Sequence, residues 1–427
     1  MDRRLQKRFV LLVKSHMHSV SELAAGLSGL PSENETFAAT QAAWRFLNNP
    51  RVTLPSLVVP LRDAGQRRLL KSKAPFAMLV HDWCKLSYRA ESKQDLTQLT
   101  HVDDIGYELT TSLLVDADNG NPLAPMEMHL KTAAGVLSTR ARTRDVPHLE
   151  QVLPTMEASH DWELSKPLLH VIDREADSVD HYRSWDAAGH RFLVRADDRR
   201  VRYKGVSCML SEIRRKLRKT SAFQSAGGAL HRGRAAQLWV AETQVVLDRP
   251  AKKNVGGKKF EKPGRALPLR FIIVELRDED GKVLAHWMLL TNAPVEWATT
   301  EHLAWCYYWR WRIESFFKLL KSHGQQLERW QQETGAAVAR RLLVAAMACI
   351  VIWQLQADTS SKAKKLKAIL IRLSGRQTKR SNPHTAPALL AGLWILLSMF
   401  ALLEHYDLNQ LQKLANAIPL IPLRDTG

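Results

Sequence analysis

The sequence has few cysteines and no segment that resembles a secretion signal. The four cysteines, Cys84, Cys208, Cys306 and Cys349, lie far apart, and no two of them form a C-x-x-C pair. This spacing argues against a zinc site and a disulfide framework, and it fits a reducing cytoplasm. The first 18 residues contain no apolar run long enough for a signal peptide.

Long uncharged segments are also scarce. Ala386–Leu403 has 18 residues without a charge, which is the lower limit of length for a membrane-spanning helix. Pro387 and Gly392 interrupt this segment, and no second span accompanies it in the sequence. We therefore expect a buried helix and a protein that does not enter a membrane. A membrane-bound protein is the alternative, and it depends on this segment alone.

Acidic residues are outnumbered by basic ones. The chain has 62 Lys and Arg against 43 Asp and Glu, a formal net charge of +19 and a pI near 9.9. Such a charge favours polyanionic partners, either nucleic acid through counterion release or anionic lipid. At 427 residues two or three domains are expected, and an apolar content of 45% argues against global disorder.

The order of sequence patterns predicts a mixed α/β protein with helical ends. Residues 1–70 alternate short apolar runs with Arg and Lys, which predicts a small basic helical domain or a helical collar on the main domain. Residues 71–335 alternate strand and helix patterns, with a hairpin turn at 118–120. Within them, residues 200–290 form a predicted β insertion. Residues 336–427 are predicted to be helical.

Two aspartates end apolar runs that are typical of buried strands. Asp82 closes PFAMLVHD, and Asp173 closes LLHVID. Sheets of α/β proteins place ligands at strand ends, so the two carboxylates are predicted to share a site. Lone aspartates are common, and neither residue is informative by itself. His81, beside Asp82, is expected to be a packed strand residue, and Asp177 a residue that supports or borders the site.

Residues 307–321, YYWRWRIESFFKLLK, predict one amphipathic helix. At about 100° per residue, four side chains share an arc of about 60°. These four are Tyr307, Arg310, Glu314 and Lys321. The apolar residues cluster on a separate face, which is expected to be buried. The polar face is either an exposed face with ion pairs or part of a site with an acid between cations.

The three acids together have the chemistry of a phosphodiester-cleaving site. Two-metal cleavage requires hard oxygen ligands without sulfur or imidazole, and Asp82, Asp173 and Glu314 supply them from distant segments. Nearby cations would bind phosphate oxygens. The joint pattern, and not any single acid, supports this interpretation.

Several stretches resemble a known family. The pattern Y-x2-R-x3-E-x6-K at residues 307–321 resembles the signature of the insertion-sequence-four family of DDE transposases. DREAD at 173–177 followed by RFLVRAD resembles the second catalytic segment of that family, and HDWCKLSYR at 81–89 the first. AAWRFLNNPRVT at 42–53 and HWMLLTNAPVE at 286–296 also match. The resemblance runs from about residue 35 to residue 335.

The resemblance implies a fold and a set of site residues. The fold would be an RNase H-like catalytic core at 71–335 with the β insertion, between a DNA-binding domain at 1–70 and a region at 336–427 that could mediate dimerisation. Asp82, Asp173 and Glu314 would be catalytic and would bind two Mg²⁺ ions, with Mn²⁺ as a substitute. The residues implied to contact DNA are Tyr307, Arg310, Lys321, Arg195, Trp287 and Trp311. Trp287 would receive a flipped base and Trp311 would help to hold the distorted end, although Trp287 could also be a core tryptophan.

The resemblance also implies partners and a reaction. The protein would excise and integrate a mobile element through strand hydrolysis, a hairpin intermediate and strand transfer. It would bind transposon-end inverted repeats and target DNA as a homodimer in a synaptic complex, in the cytoplasm of a bacterium and associated with the nucleoid. A transposase descendant that only binds DNA and an RNase H-like repair nuclease are the alternatives. The sequence departs from the family at Trp83-Cys84-Lys85, where small hydroxyl residues are usual, and its C-terminal region is shorter.

Overall fold

The computed structural model describes residues 1–18, 33–89, 93–255, 258–321, 324–376 and 384–416. Its helices lie mainly at the two ends of the chain. Their bounds are α1 Arg3–His18, α2 Glu33–Leu47, α3 Leu54–Leu69, α4 His148–Ala158, α5 Val179–Ala187, α6 Leu210–Lys219, α7 Thr300–Trp309, α8 Arg312–Leu320, α9 Gly335–Ala357, α10 Ser361–Leu373, α11 Ala386–Leu403 and α12 Leu408–Ala415.

The strands occupy the middle of the chain. Their bounds are β1 Ala77–Ser87, β2 Thr97–Gln98, β3 Ile105–Asp116, β4 Pro122–Thr132, β5 Gly135–Ser138, β6 Leu168–Ile172, β7 Arg191–Arg195, β8 Arg200–Tyr203, β9 Val206–Met209, β10 Gln224–His231, β11 Arg234–Leu247, β12 Ala251–Val255, β13 Lys258–Lys262, β14 Leu267–Arg277 and β15 Val283–Thr291. All except β12 and β13, which pair with each other, belong to one sheet.

Five adjacent strands form the centre of the large sheet, in the order β4-β3-β1-β6-β7. The first three pair antiparallel, with the DNG turn at 118–120 joining β3 to β4 as predicted. Strands β6 and β7 then run parallel to β1. Each parallel step is crossed by a helical segment, α4 between β5 and β6 and α5 between β6 and β7. Three antiparallel strands followed by two parallel ones is the RNase H-like arrangement, which confirms the predicted fold class.

The β insertion continues the same sheet. Strand β15 pairs antiparallel with β7, and β14, β11, β8 and β9 extend the sheet outward. The segment at 200–290 is therefore strand-rich as predicted, but it also contains α6. A second apolar core lies between this extension and α5 and α6, with Trp185, Phe192 and Phe271 among its buried side chains.

The helical ends pack together on the other part of the sheet. Helix α1 contacts α9 and α11, and α3 lies against both β4 and α9. Leu12 of α1, Leu57 of α3 and Val344 of α9 belong to one buried cluster with the central strands. The N-terminal and C-terminal regions thus share a core with the sheet, while the proposed domain boundaries at 70 and 335 stay a prediction.

Two helices are long and apolar enough to cross a membrane. They are α9, whose most apolar window is 78% buried inside the protein, and α11, whose window is 28% buried. The expectation of a single such segment was wrong, because α9 carries its two arginines near its start and is otherwise uncharged. Burial identifies α9 as a core helix. The expectation that α11 is a buried helix was wrong, because it leaves apolar side chains exposed, among them Ile395, Met399 and Phe400.

Candidate active site

Asp82 and Asp173 are brought together by the parallel pairing of β1 with β6. The register ends with His81 opposite Ile172, so the next residue of each strand is a carboxylate at the carboxyl edge of the parallel pair. Strand β1 itself does not end there, because it stays paired with β3 up to Ser87. The prediction that Asp82 ends its strand was therefore wrong, whereas the predicted meeting of the two aspartates is what the register produces.

Glu314 reaches the same edge from the helical segment after β15. The predicted single helix at 307–321 is two helices, because α7 ends at Trp309 and α8 begins at Arg312. The turn between them is tight, with Arg310 N donating to Tyr307 O at 3.1 Å and Ile313 N to Arg310 O at 3.2 Å. Helical spacing is nearly preserved across the turn. The polar face predicted from a continuous helix therefore still points to one side.

Arg310 lies at the meeting point of the three carboxylates. Its Nη1 is 3.1 Å from Asp82 Oδ2, and its Nη2 is 3.2 Å from Asp173 Oδ2 and 3.1 Å from Glu314 Oε1. The side chain is 4% exposed, and the guanidinium also lies over the rings of Tyr307 and Trp311. One cation thus holds together three acids that are far apart in the sequence.

The pKa values of Asp82 and Asp173 are shifted in opposite directions in this cluster. Burial raises the pKa of Asp82 to about 6, against the opposing effect of Arg310 and with the support of the negative charges of Glu314 and Asp173. Burial also acts on Asp173, but Arg310, the Arg174 amide and the Tyr307 hydroxyl outweigh it, so the pKa of Asp173 is lowered. Asp82 is the more enclosed carboxyl, which explains the difference in sign.

The donor set fits a divalent cation. Three carboxylates face two guanidinium groups, Arg310 and Arg195, so the cluster retains a negative excess that burial makes unfavourable. Carboxylate oxygens are the ligands that Mg²⁺ and Mn²⁺ prefer. Among the residues that the structure describes, no group of three or more His, Cys, Asp or Glu side chains is arranged so that it could hold an ion as it stands. The guanidinium of Arg310 lies between the acids at this point.

Three of the other predicted residues differ in how closely they approach the acids. Tyr307 donates from its hydroxyl to Asp173 Oδ1 at 3.0 Å, and Arg195 Nη1 lies 3.8 Å from the same oxygen. Lys321 does not reach the acids. Its Nζ donates to the backbone oxygen of Lys85 at 2.7 Å and pairs with Glu328 at 3.0 Å.

The two predicted tryptophans line one cavity of about 620 Å³, which is also lined by Arg312 and Ser315 of α8. Trp287 is 7% exposed and packs against Tyr307, with ring centroids 5.5 Å apart, whereas Trp311 is 48% exposed. Tyr308 and Trp309 complete an aromatic wall, and the remaining lining residues include His231, Arg232 and Arg312. Trp287 is thus both a core residue and part of a cavity wall, so burial does not choose between its two predicted roles.

Two features near the acids were missed in the sequence. The ring of Trp83 stacks on the imidazole of His148, with centroids 3.9 Å apart, and His148 Nδ1 lies 3.1 Å from Glu108. The turn between β10 and β11 brings His231 and Arg232 to the aromatic cavity. The basic HRGR turn was visible in the sequence, but nothing there placed it beside Trp287.

Two neighbours of the acids have structural roles. His81 is buried, with Nδ1 2.9 Å from Ser112 Oγ and Nε2 3.0 Å from His170 Nδ1, which confirms a packed strand residue. Asp177 accepts from the Tyr182 hydroxyl and pairs with Arg199 at 2.6 Å. It therefore fixes the segment that follows Asp173 and does not face the other acids.

The turn at 118–120 holds the helices that carry Arg310 and Glu314. Arg312 Nε donates to Gly120 O at 2.8 Å, and His302 Nε2 lies 2.6 Å from Ala117 O. Gly120 has φ of +69°, and a Cβ atom there would lie 2.4 Å from the ring of Trp309. The position requires glycine both for its backbone conformation and for the close approach of the indole.

Gly120→Ala is expected to lower the thermal stability of the protein. The left-handed conformation costs about 1–2 kcal/mol for a residue with a Cβ, and overpacking against Trp309 adds about 1–3 kcal/mol. Gly281→Ala is the matched control, because Gly281 has φ of +76° and a Cβ atom there would have no atom of the described residues within 4 Å. Thermal melts of both variants measure the difference in Tm. An equal fall in Tm for the two variants would show that contact with Trp309 does not require glycine at position 120.

The order and directions of the central strands are those of an RNase H-like core. The sequence pattern of the family described as "Transposase DDE domain" matches residues 117–351, which is more than half of the chain. The chain belongs to this family. It is thus a DDE transposase, an enzyme that cleaves and joins DNA strands, and members of this family use divalent metal ions.

The comparisons with individual proteins are more distant. No curated protein sequence matches the chain. Among solved structures, the chain is similar to the piggyBac transposase in a cryo-EM structure of its synaptic complex with hairpin DNA. The identity is 11%, the match covers 100% of this chain and 78% of that chain, and the TM-score is 0.36. The family assignment does not depend on this remote likeness.

Proposed function

We propose that the protein is a cut-and-paste transposase of the insertion-sequence-four type, with Asp82, Asp173 and Glu314 as its catalytic triad. The observation that carries the proposal is the convergence of these three side chains on Arg310, from β1, the end of β6 and α8. Structural ion pairs seldom recruit three acids to one buried cation without a further purpose, because each acid must be desolvated.

The triad would hold two Mg²⁺ ions, with Mn²⁺ as a substitute. When bound, such ions activate water and stabilise the entering and leaving oxygens of phosphodiester cleavage. Tyr307 fixes the orientation of Asp173 through its hydroxyl. Arg195 lies at the rim of the cluster, where its guanidinium can bind a phosphate of the DNA strand. Arg310 and Lys321 are proposed to contact phosphates as well.

The proposed reaction has three stages. Water breaks the bond between phosphorus and the 3′-oxygen at the element's end, which exposes a 3′-hydroxyl. This hydroxyl then attacks a phosphorus of the opposite strand, displaces the 3′-oxygen of the flanking DNA and closes a hairpin, and a second water reopens it. The freed 3′-hydroxyl finally attacks a phosphorus of the target DNA and displaces the 3′-oxygen of the target strand. The aromatic cavity supports the hairpin stage, because Trp287 and Trp311 offer ring faces to a base that leaves the stack.

One assay distinguishes a transposase from a protein that only binds DNA and from a repair nuclease. A duplex carrying the terminal repeat from the DNA that flanks the gene is incubated with the protein and Mg²⁺. A descendant that only binds DNA would leave the duplex intact, and a repair nuclease would cut without end specificity and without joining strands. Metal-dependent cutting at the repeat boundary, followed by strand joining, is the result that supports a transposase of this type.

The basic segment around α6 is proposed to bind DNA phosphates. Arg215, Lys216 and Lys219 are exposed. Arg214, which the sequence groups with them, donates to the buried carboxylate of Glu275 at 2.7 Å and is therefore committed to the fold. The three exposed cations are available to a polyanion and lie on the outer part of the β insertion.

Replacing Arg215, Lys216 and Lys219 by alanine is expected to weaken DNA binding for all sequences alike. The log–log slope of affinity against salt should also become less steep by about 0.9 for each phosphate that the variant no longer neutralises. Fluorescence anisotropy at several salt concentrations measures both effects. Removal of Lys362, Lys364 and Lys365 from α10 is the control of equal charge. A changed sequence preference, or an equal loss in the control, would contradict phosphate binding by α6.

A homodimer is proposed for the complex that holds two transposon ends. The exposed apolar side chains of α11, continued by Leu408 and Leu414 of α12, form a surface suited to a second copy. We propose that the second copy, and not a membrane, covers this surface, and that the protein acts in the bacterial cytoplasm on nucleoid DNA. Sedimentation of detergent-free protein with and without end DNA tests both statements.

A further inference from the structure

The guanidinium of Arg310 and a divalent metal ion would compete for the same three carboxylates. Its two terminal nitrogens contact all three carboxylates at 3.1–3.2 Å. A Mg²⁺ ion binds oxygens at about 2.0–2.1 Å. The carboxylates therefore have to close by about 1 Å around an ion, and the guanidinium occupies the space into which they would move.

The guanidinium of Arg310 is held mainly by its ion pairs with the three acids. Its Nε is buried and has no hydrogen-bond partner among the described residues. The contacts of the guanidinium are the three acids and the ring faces of Tyr307 and Trp311. A group with one unsatisfied donor and three charge-dependent contacts can be drawn away by another anion that satisfies it better.

The backbone turn that carries Arg310 also borders the aromatic cavity. Arg310 and Trp311 form the turn between α7 and α8, where only short-range hydrogen bonds join the two helices. Trp311 is half exposed and lines the aromatic cavity together with Trp287. A DNA strand that reaches the cavity would therefore pass close to the side chain of Arg310.

We propose that Arg310 is a built-in cation that holds the triad together in the metal-free enzyme and couples DNA binding to metal binding. A DNA phosphate takes the guanidinium, the three carboxylates are released, and divalent ions replace it among them. The inference rests on the proposed function, because it requires the three acids to be metal ligands. Coupling between two ligands is reciprocal, so DNA raises metal affinity by the factor by which metal raises DNA affinity.

This arrangement would keep the triad from binding metal ions in the absence of DNA. Without Arg310, three carboxylates would repel one another, and they would bind metal regardless of whether a substrate is present. With Arg310 in place, the metal-loaded state is favoured only when a phosphate is there to receive the guanidinium. Arg310 therefore acts as a positioning residue for the acids before it serves as a phosphate ligand.

The test measures Mn²⁺ binding by the full chain through the loss of the electron paramagnetic resonance signal of free Mn²⁺. The wild type, Arg310→Gln, Arg310→Lys and Arg265→Gln are titrated without DNA and with a pre-cut duplex of the flanking terminal repeat, and the Mn²⁺ bound by the duplex alone is subtracted. In the wild type, DNA is expected to tighten Mn²⁺ binding by a factor within the range of about 5–150 that is typical of coupled sites. Arg310→Gln is expected to bind Mn²⁺ more tightly without DNA and to lose most of the coupling.

The other variants show whether the coupling depends on the bridge between the three acids or on positive charge alone. Arg265→Gln removes an equal charge from a guanidinium that pairs with Asp186 and with none of the three acids, so its coupling should stay close to that of the wild type. Arg310→Lys keeps the charge but cannot bridge three carboxylates with one nitrogen, and it should fall between the wild type and Arg310→Gln. The wild-type titrations stand even where a variant fails to fold. Equal Mn²⁺ affinity with and without DNA would overturn the coupling.

Two further variants distinguish an error in the proposed triad from an error in the role of Arg310. Glu314→Gln and Asp82→Asn should each weaken Mn²⁺ binding if the acids are metal ligands. If neither variant does so, the triad is wrong and the inference falls with it. If both weaken binding while Arg310→Gln leaves the metal affinity and the coupling unchanged, the triad stands and the role of Arg310 is wrong.

Discussion

Asp82→Asn, Asp173→Asn and Glu314→Gln are each expected to abolish metal-dependent cleavage while the binding of end DNA is retained. Each amide keeps the shape of the side chain and removes the charge that a divalent ion requires. Losing a metal ligand costs several kcal/mol of transition-state stabilisation, and each 1.36 kcal/mol is a factor of ten in rate, so a loss on the order of 10³-fold is expected. Gel analysis of nicked end duplex measures the rate, and anisotropy measures the binding.

The amide variants also remove one partner of Arg310, so their folding needs a control. Glu279 and Asp280 lie in the exposed turn before β15, and Glu279→Gln and Asp280→Asn should leave cleavage unchanged. Thermal melts show whether the three site variants stay folded. A folded variant that keeps more than about a tenth of wild-type cleavage would remove its residue from the triad, because that loss is below the cost of a metal ligand.

Much of the fold could be predicted because the central strands carry local signals. The first half of β1 and all of β6 are apolar runs, as strands covered on both faces require, and the DNG turn specifies the β3–β4 hairpin. The second half of β1, after Asp82, was not predicted. Its residues are partly exposed and pair with β3 on one side only, so they lack the continuous apolar pattern of the first half.

The candidate site was predictable in its acids but not in its contacts. Asp82 and Asp173 follow from strand register, and Glu314 from the spacing of the signature pattern. The break between α7 and α8 contains neither glycine nor proline, so the sequence has no helix-breaking residue that would predict it. The stack of Trp83 on His148 joins residues from β1 and α4, and a single sequence has no signal for such a pair.

The central place of Arg310 is the clearest case of information that only the fold supplies. The sequence places Arg310 and Glu314 one helical turn apart, which predicts an ordinary surface ion pair of small energetic value. The fold buries the arginine and adds Asp82 and Asp173 from two strands. The same side chain thereby changes from a surface cation into the partner of all three acids.

Trp287→Ala is expected to slow hairpin formation selectively and to leave first-strand nicking nearly intact. A tight hairpin requires a base to leave the stack, and an aromatic platform returns about 1–3 kcal/mol per stacked base. At 1.36 kcal/mol per factor of ten, the hairpin step should slow by roughly 5- to 150-fold. Quenched-flow sampling of end duplex, resolved on denaturing gels, separates nicked strands from hairpins. An abasic nucleotide at the flipped position should partly restore the variant, because no base then has to be held.

Trp287 is also a core residue, so the loss of packing has to be separated from the loss of a platform. Trp185, in the second core beside Phe192, is the matched control, because it is buried and remote from the acids. Replacing either large side chain by alanine costs about 3–5 kcal/mol of stability. Trp185→Ala should therefore lower Tm without changing the ratio of hairpin to nicked product at a temperature where both variants are folded. If Trp287→Ala likewise slows nicking and hairpin formation together, the indole only packs the core and the flipped base is held elsewhere.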